Sequence, residues 1–215
     1  MARREFNPPV QRRSEETLER LLSAAKDGLA RKGFDALTLD ELTREAGVTV
    51  GAFYQRFPSK AALLHYLEDE AYAEIREAGA VLFLEPPAGD RPTIRERLRA
   101  YVTAMAETYR AHRGVMRELV QRSRSDPDRQ RRRMDMTRDM VARAVDWLLL
   151  DDGEIDHPDP RSALGIALLF TTSALRDVIL FEETWTAPSA GPRIDALVEE
   201  LIRAMEAYLG LAADR

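Results

Sequence analysis

Residues 47–57 read Gly47-Val48-Thr49-Val50-Gly51-Ala52-Phe53-Tyr54-Gln55-Arg56-Phe57, "GVTVGAFYQRF". Small residues come first, and three aromatics follow within five positions. Two short helical patterns meet at Ala46-Gly47-Val48, and a tight glycine-containing turn between two helices is the geometry of a helix-turn-helix. Thr49 is placed to cap the second helix, so Val50, Gly51 and Ala52 lead it. Small side chains there allow close approach to a duplex and leave backbone N–H groups facing phosphate oxygens. Tyr54 offers a hydroxyl suited to phosphate. Phe53 and Phe57, four apart, are placed to pack inward. Lys60, in the first turn of the next helix, supplies a cation. A three-helix packing unit without a ligand fits the same spacing.

The flanking chain is helical by periodicity throughout. Leu18, Leu21, Leu22, Ala25 and Leu29 form a stripe that Gly33 is placed to end. Thr38 with Glu41 is a capping-box pattern opening a short second helix. Ser59 is a cap candidate for a long helix running towards Val81–Leu84, before the proline-rich break at 85–92. A fifth helix begins near Thr93 and bends or ends around His112–Gly114. A sixth covers about 115–124, and Ser125-Asp126-Pro127 opens a seventh. The linker 151–160 precedes a strongly apolar helix at 161–184, and a last helix covers 193–212. No stretch alternates like a strand. The expected fold is all-α with about nine helices, divided into residues 1–60 and 61–215.

The 215 residues include 45% hydrophobic and 32% charged residues, enough for a core with a well-solvated surface. There is no cysteine, which excludes disulfides, thiolate catalysis and cysteine metal sites and permits a reducing cytoplasm. No apolar run approaches the roughly 18 residues of a membrane span, and the N-terminal residues lack the apolar core of a signal peptide. No membrane partner is therefore expected. The net charge of −5 divides unevenly. Residues 1–60 hold 11 Lys/Arg against 9 Asp/Glu, net +2, so the remainder carries −7. A mildly basic head on an acidic body suits contact with a polyanion.

The segment "GFDALTLDELTREAGVTVGAFYQRFPSKAALL" (33–64) closely resembles the DNA-binding region of the TetR family of transcriptional regulators. Gly33, Thr38, Leu42, Ala46-Gly47-Val48, Gly51, Tyr54, Phe57, Lys60 and Leu63 carry the likeness in one uninterrupted register, within residues 14–64. Two positions depart from it. Thr43 stands where the family commonly has alanine, and Arg56 where it often has histidine. The resemblance implies that Thr38 and Lys60 touch phosphates and that Tyr54 touches phosphate or the sugar edge. It places Thr49, Val50, Gly51, Ala52 and Gln55 towards the groove. Val50 and Ala52 offer only apolar contacts, so hydrogen-bond readout falls to Gln55, Arg56 and Thr49. Arg44 is a candidate backbone or base contact, with a solvated salt bridge as its alternative. Arg3, Arg4, Arg12 and Arg13 form a basic arm suited to phosphate or the minor groove.

For the body, the resemblance implies a homodimer through the helices near 161–184 and 193–212, pairing as a four-helix bundle on a palindromic operator. Arg176 and Asp177 would mark the less buried side of the first. It also implies a pocket for a small apolar or amphipathic effector whose binding releases the operator, making the chain a repressor. Tyr101, Met105, Tyr109, Met116, Met140, Trp147 and Phe170 are the candidate lining residues, since methionine and aromatic side chains suit an irregular apolar pocket. Plain core packing is the alternative for each. No cofactor or metal is expected. The competing functions are an effector-independent DNA-binding or partner-binding protein and, more remotely, an enzyme. His65, His112 and His157 sit in no catalytic or metal motif, and the acidic run 151–156 lacks the spacing of a calcium loop.

Overall fold

A computed structural model describes residues 12–84, 92–150, 155–181 and 194–211. The described residues form nine helices: α1 (Arg12–Ala36), α2 (Leu39–Ala46), α3 (Val50–Tyr54), α4 (Lys60–Leu82), α5 (Ile94–Ala111), α6 (Arg113–Ser123), α7 (Pro127–Leu148), α8 (Pro160–Leu180) and α9 (Ile194–Tyr208). The fold is all-α. Residues Arg3 and Arg4 of the basic arm lie outside the described residues.

The chain divides into two compact units. The first is Met1–Glu74 with His112–Pro127, and the second is Ile75–Ala111 with Asp128–Arg215. The first unit thus extends past residue 60 and takes in α6. Hydropathy reveals an apolar stripe but not the partner it packs against, so the sequence alone could not assign α6.

Local chemistry sets the helix ends of the first unit. Gly33 breaks α1 with φ 76°, a conformation L side chains avoid. Thr38 and Glu41 form the reciprocal capping box, with the Glu41 N–H donating to Thr38 Oγ1 at 3.2 Å and the Thr38 N–H donating to Glu41 Oε2 at 3.0 Å. Gly47, at φ 63°, closes α2. Its N–H donates to Arg44 O and that of Val48 to Thr43 O, at 3.2 and 2.9 Å, the paired bonds of a Schellman motif. Leu21, Leu29, Leu37, Leu42, Phe53, Phe57 and Leu67 fill the core.

The second unit packs α5 against α8 and α9. Leu98, Val102, Leu164, Leu168, Leu175, Ile202 and Met205 are buried there. Arg97 is buried as well, and its guanidinium donates to the carbonyls of Pro92 at 2.6 Å and Leu148 at 3.3 Å. A buried cation needs such partners, because stripping its water is costly. Thr93 opens α5 with a second reciprocal box involving Glu96.

One sequence expectation needs correcting. α8, 21 residues long, has an 18-residue window of mean hydropathy 1.7, so it is long and apolar enough to cross a membrane by length and composition. Its Gly, Ser and Thr residues interrupt the run of large apolar side chains without lowering the average below that of a span. In this structure 44% of that window is buried inside the protein. The buried face meets α5 and α9, while Ile166 and Leu169, three apart, stand exposed on the other side at 52% and 65%.

Candidate DNA-binding surface

The helix-turn-helix is α2, the Gly47 turn and α3. Thr49 caps α3 by accepting the Ala52 N–H at 3.1 Å, so its oxygen is already engaged while its O–H can still donate. Phe53 is fully buried and anchors α3. Its ring meets Tyr54 edge-on at 5.4 Å and Phe57 at 5.8 Å, and Phe57 meets Tyr66 at 5.7 Å. The opposite side of α3 is open. Val50, Gly51, Tyr54 and Gln55 are exposed, and Ala52 and Arg56 are half-buried. Thr38 and Arg44 are also exposed. Val50, Gly51, Ala52, Tyr54, Gln55 and Arg56 thus lie on or just past one short helix anchored by Phe53, while Thr38 and Arg44 belong to α2.

Gly51 shows why a small residue suits that side. A methyl group built on it would meet only Thr49 Oγ1, at 3.8 Å. No feature of the folded head requires glycine there. We therefore predict that Gly51→Ala folds with equal or higher melting temperature, helped by roughly 0.5–1 kcal/mol of helix propensity. DNA affinity should nevertheless fall, because the added methyl occupies the approach to the duplex. Fluorescence anisotropy beside a thermal melt checks this, and loss of both together would place the glycine requirement in the fold.

Thr43 is buried, and its hydroxyl donates to the Leu39 carbonyl at 3.0 Å. The back-bond satisfies the hydroxyl within its own helix, which lets threonine stand where a smaller residue is common.

Lys60 has a different setting from a solvent-facing cation. Its ammonium donates to the carbonyls of Phe34 at 2.7 Å and Leu37 at 2.6 Å, and it lies 4.3 Å from the centre of the Phe34 ring. It satisfies carbonyls at the end of α1 and in the turn to α2, leaving one N–H of the three for another acceptor. Sequence position showed the charge; the long-range fold determines where it is used.

Glu41 is held to about 2, well below the usual carboxylate range. Lys32 contributes most, followed by the backbone and hydroxyl of Thr38. A carboxyl depressed on folding adds stability that is present above its unfolded value near 4.3 and lost as pH falls towards 2. We expect the acid melting curve of Glu41→Gln to be flatter than that of the wild type between pH 4 and 2, as followed by circular dichroism.

Of the residues proposed to line an effector pocket, six lie in the second unit and Met116 lies on α6 in the first. Tyr101, Tyr109, Met140 and Trp147 are buried, and Met105 and Phe170 are half-buried. Phe83, absent from the sequence-derived set, joins Tyr101 and Trp147, with ring centres 6.5 and 5.6 Å away. Burial pushes the phenols of Tyr101 and Tyr109 above their ordinary values, and Arg176 and Arg133 oppose the rise at Tyr109. The indole N–H of Trp147 and the hydroxyl of Thr171 are buried without a hydrogen-bond partner.

The family model of bacterial regulatory proteins, tetR family, matches residues 21–67, which contain α2, α3 and the capped turn between them. The matched region thus carries the sequence pattern of a tetR-family DNA-binding head. It is 35% identical over 97 residues to an uncharacterized HTH-type transcriptional regulator, YerO, of Bacillus subtilis (strain 168). That match spans 45% of this chain and about a third, 32%, of the relative. Solved tetR-family structures share the fold. A regulatory protein from Rhodococcus RHA1 aligns with TM-score 0.67 at 20% identity, covering 92% of this chain and 98% of its own. PfmR from Thermus thermophilus aligns with TM-score 0.62 at 19% identity, covering 91% and 100%. At such identities the likeness speaks for the fold alone. The ligands and partners of those proteins stay with them.

Proposed function

We propose that this protein is a ligand-responsive transcriptional repressor that binds a palindromic operator as a homodimer. The observation carrying this reading is the α3 surface, an aromatic-anchored, capped helix presenting Val50, Gly51, Ala52, Tyr54 and Gln55 outward within a tetR-family head. Tyr54 and the remaining Lys60 N–H are the phosphate contacts, and Thr38 joins them when its hydroxyl turns from Glu41 Oε2, to which it donates at 2.9 Å in the free protein. Gln55, Arg56 and the Thr49 hydroxyl read base edges, while Val50 and Ala52 meet apolar groups such as a thymine methyl. Arg44 and the basic arm, with Arg12 and Arg13 at the start of α1, supplement them.

One such head reads few base pairs. Two heads about 34–36 Å apart read a palindrome and bind far more tightly. The exposed Ile166–Leu169 strip of α8 is the surface proposed to join two copies, with α9 beside it. A small apolar or amphipathic effector in the second unit, near Tyr101, Tyr109, Met140 and Trp147, would prefer the state that does not bind DNA. That preference is the coupling free energy, typically 1–3 kcal/mol. A regulator of this kind works in the cytoplasm.

The roles are separable experimentally. Tyr54→Ala should weaken binding to every duplex, whereas Gln55→Ala and Arg56→Ala should relax sequence preference by about 1–3 kcal/mol per lost base contact. Equal losses on operator and scrambled duplexes for Gln55→Ala would remove it from the readers. A compound screen against the protein–duplex complex tests the effector. If no compound that binds the protein alters its DNA affinity, the effector-independent reading is favoured.

A further inference from the structure

We infer that Glu118, on α6 and outside the family-matched residues 21–67, is a positioning residue of the DNA-reading head, acting through the backbone of Phe34.

The α1–α2 corner begins at Gly33, where the left-handed backbone releases the following N–H from the helix. That N–H, on Phe34, donates to Glu118 Oε1 at 2.8 Å. Glu118 is buried at 5% exposure, and its other oxygen accepts from Arg122 Nε at 3.0 Å. Arg122 also reaches Asp35 at 2.5 Å and lies 4.3 Å from the Phe34 ring centre. Lys60 is the same distance from that ring and takes the Phe34 and Leu37 carbonyls. Phe34 is therefore held at its N–H from α6, at its carbonyl from α4, and at its ring by a cation from each. Four residues on is Thr38, the cap of α2 and a proposed phosphate contact.

The seat of α6 is built to fit. A methyl group on Gly114 would lie 2.6 Å from the backbone nitrogen of Ala30, so only glycine permits this approach. Arg117 donates to the Leu29 carbonyl at 2.9 Å. A methyl group on Gly33 would come within 2.9 Å of Glu118 Oε1, so a side chain there would displace the carboxylate from the Phe34 N–H, besides being strained at φ 76°. A buried carboxylate accepting a backbone N–H is a strong, charge-assisted bond, and removing it leaves a buried donor unpaired. The register of α2, and with it α3, thus depends on a residue well beyond the end of the family match.

This inference rests on the proposed DNA-reading role. Its test uses full-length protein, an operator duplex obtained by selection, and amide hydrogen exchange. Glu118→Leu should bind the operator about tenfold more weakly. Its salt dependence should be unchanged, because no cation that neutralises a phosphate is removed. The amides of residues 34–38 should exchange about tenfold faster. Glu118→Gln keeps an acceptor oxygen and should restore both readouts to within about threefold. Arg122→Gln, which removes the group orienting the carboxylate, should show a smaller change in the same direction and serves if the leucine variant does not fold. Wild-type affinity in the leucine variant, a reduced salt slope, or a glutamine variant as damaged as the leucine one would overturn the inference. Faster exchange without weaker operator binding would also overturn the positioning role. If the wild type binds no duplex, it is the DNA-reading proposal that fails, and exchange at residues 34–38 still decides whether Glu118 holds the corner.

Discussion

Ile166→Glu combined with Leu169→Glu should leave each chain folded and abolish the proposed homodimer. Both side chains are exposed, at 52% and 65%, on a helix whose other face packs against α5 and α9. Charges placed there meet water in the isolated chain and meet each other across a two-fold interface. The interface loses two large apolar anchors per copy, each contributing about 1.5–3 kcal/mol when fully buried. Four glutamates then face one another across the interface, and like charges there oppose pairing. We expect the dimer dissociation constant to rise by at least about a hundredfold, which corresponds to roughly 2.7 kcal/mol. Operator binding should fall with it, while circular dichroism and melting temperature stay near wild type. Analytical ultracentrifugation reads the result. A double variant that still sediments as a dimer would place the interface elsewhere.

Point substitutions are the better probe because removing the C-terminal helix has a second consequence. Val198, Leu201, Ile202 and Met205 of α9 are buried inside the second unit, and Arg95 pairs with Glu206 at 2.9 Å. Deleting 193–215 would therefore strip the unit's own core. A change in oligomeric state would then be hard to separate from unfolding.

The second large effect is expected at Phe53. Its side chain has no exposed surface and touches both Tyr54 and Phe57, so Phe53→Ala removes the anchor of a helix only five residues long. A helix this short has little stability of its own and depends on packing. Truncating a buried phenylalanine costs about 3–5 kcal/mol, from lost transfer energy and the cavity left behind. Small domains are typically stable by about 5–15 kcal/mol, so this is a large fraction for one head. In a unit of this size we expect a melting temperature lower by more than about 12 °C and loss of binding to operator and non-specific duplexes alike. Phe53→Leu, which keeps most of the volume, should recover much of the stability. Near-normal melting for Phe53→Ala would show that α3 is held by something other than this ring.

Much of the head was legible in the sequence because local rules specify it. Thr38 with Glu41, Thr49 and Gly47 are residues whose short-range hydrogen bonds or backbone freedom fix helix ends, and the structure shows those bonds. The small residues that lead α3 and the buried Phe53 and Phe57 that anchor it followed from size and spacing, whereas the outward Tyr54 followed from its hydroxyl. The rest depends on contacts between distant residues. The acceptors of Lys60 lie 23 and 26 residues away, and the bonds of Glu118 and Arg122 reach residues 84 and 87 positions back. Periodicity cannot show such pairings. The same limit applies to α8 and α9. Both carry apolar stripes, but α8 also leaves Ile166 and Leu169 outside, whereas α9 turns its large aliphatic residues inward.

The proposed function requires that α3 read base sequence in the groove of a two-fold operator. Repeated selection of bound duplexes from a random library by the purified wild-type protein tests this directly. An inverted repeat whose half-site centres lie about one helical turn, ~34–36 Å, apart should be enriched, with Gln55→Ala relaxing defined positions in each half-site. A library that remains random after repeated rounds, or one enriched without two-fold symmetry, would contradict it.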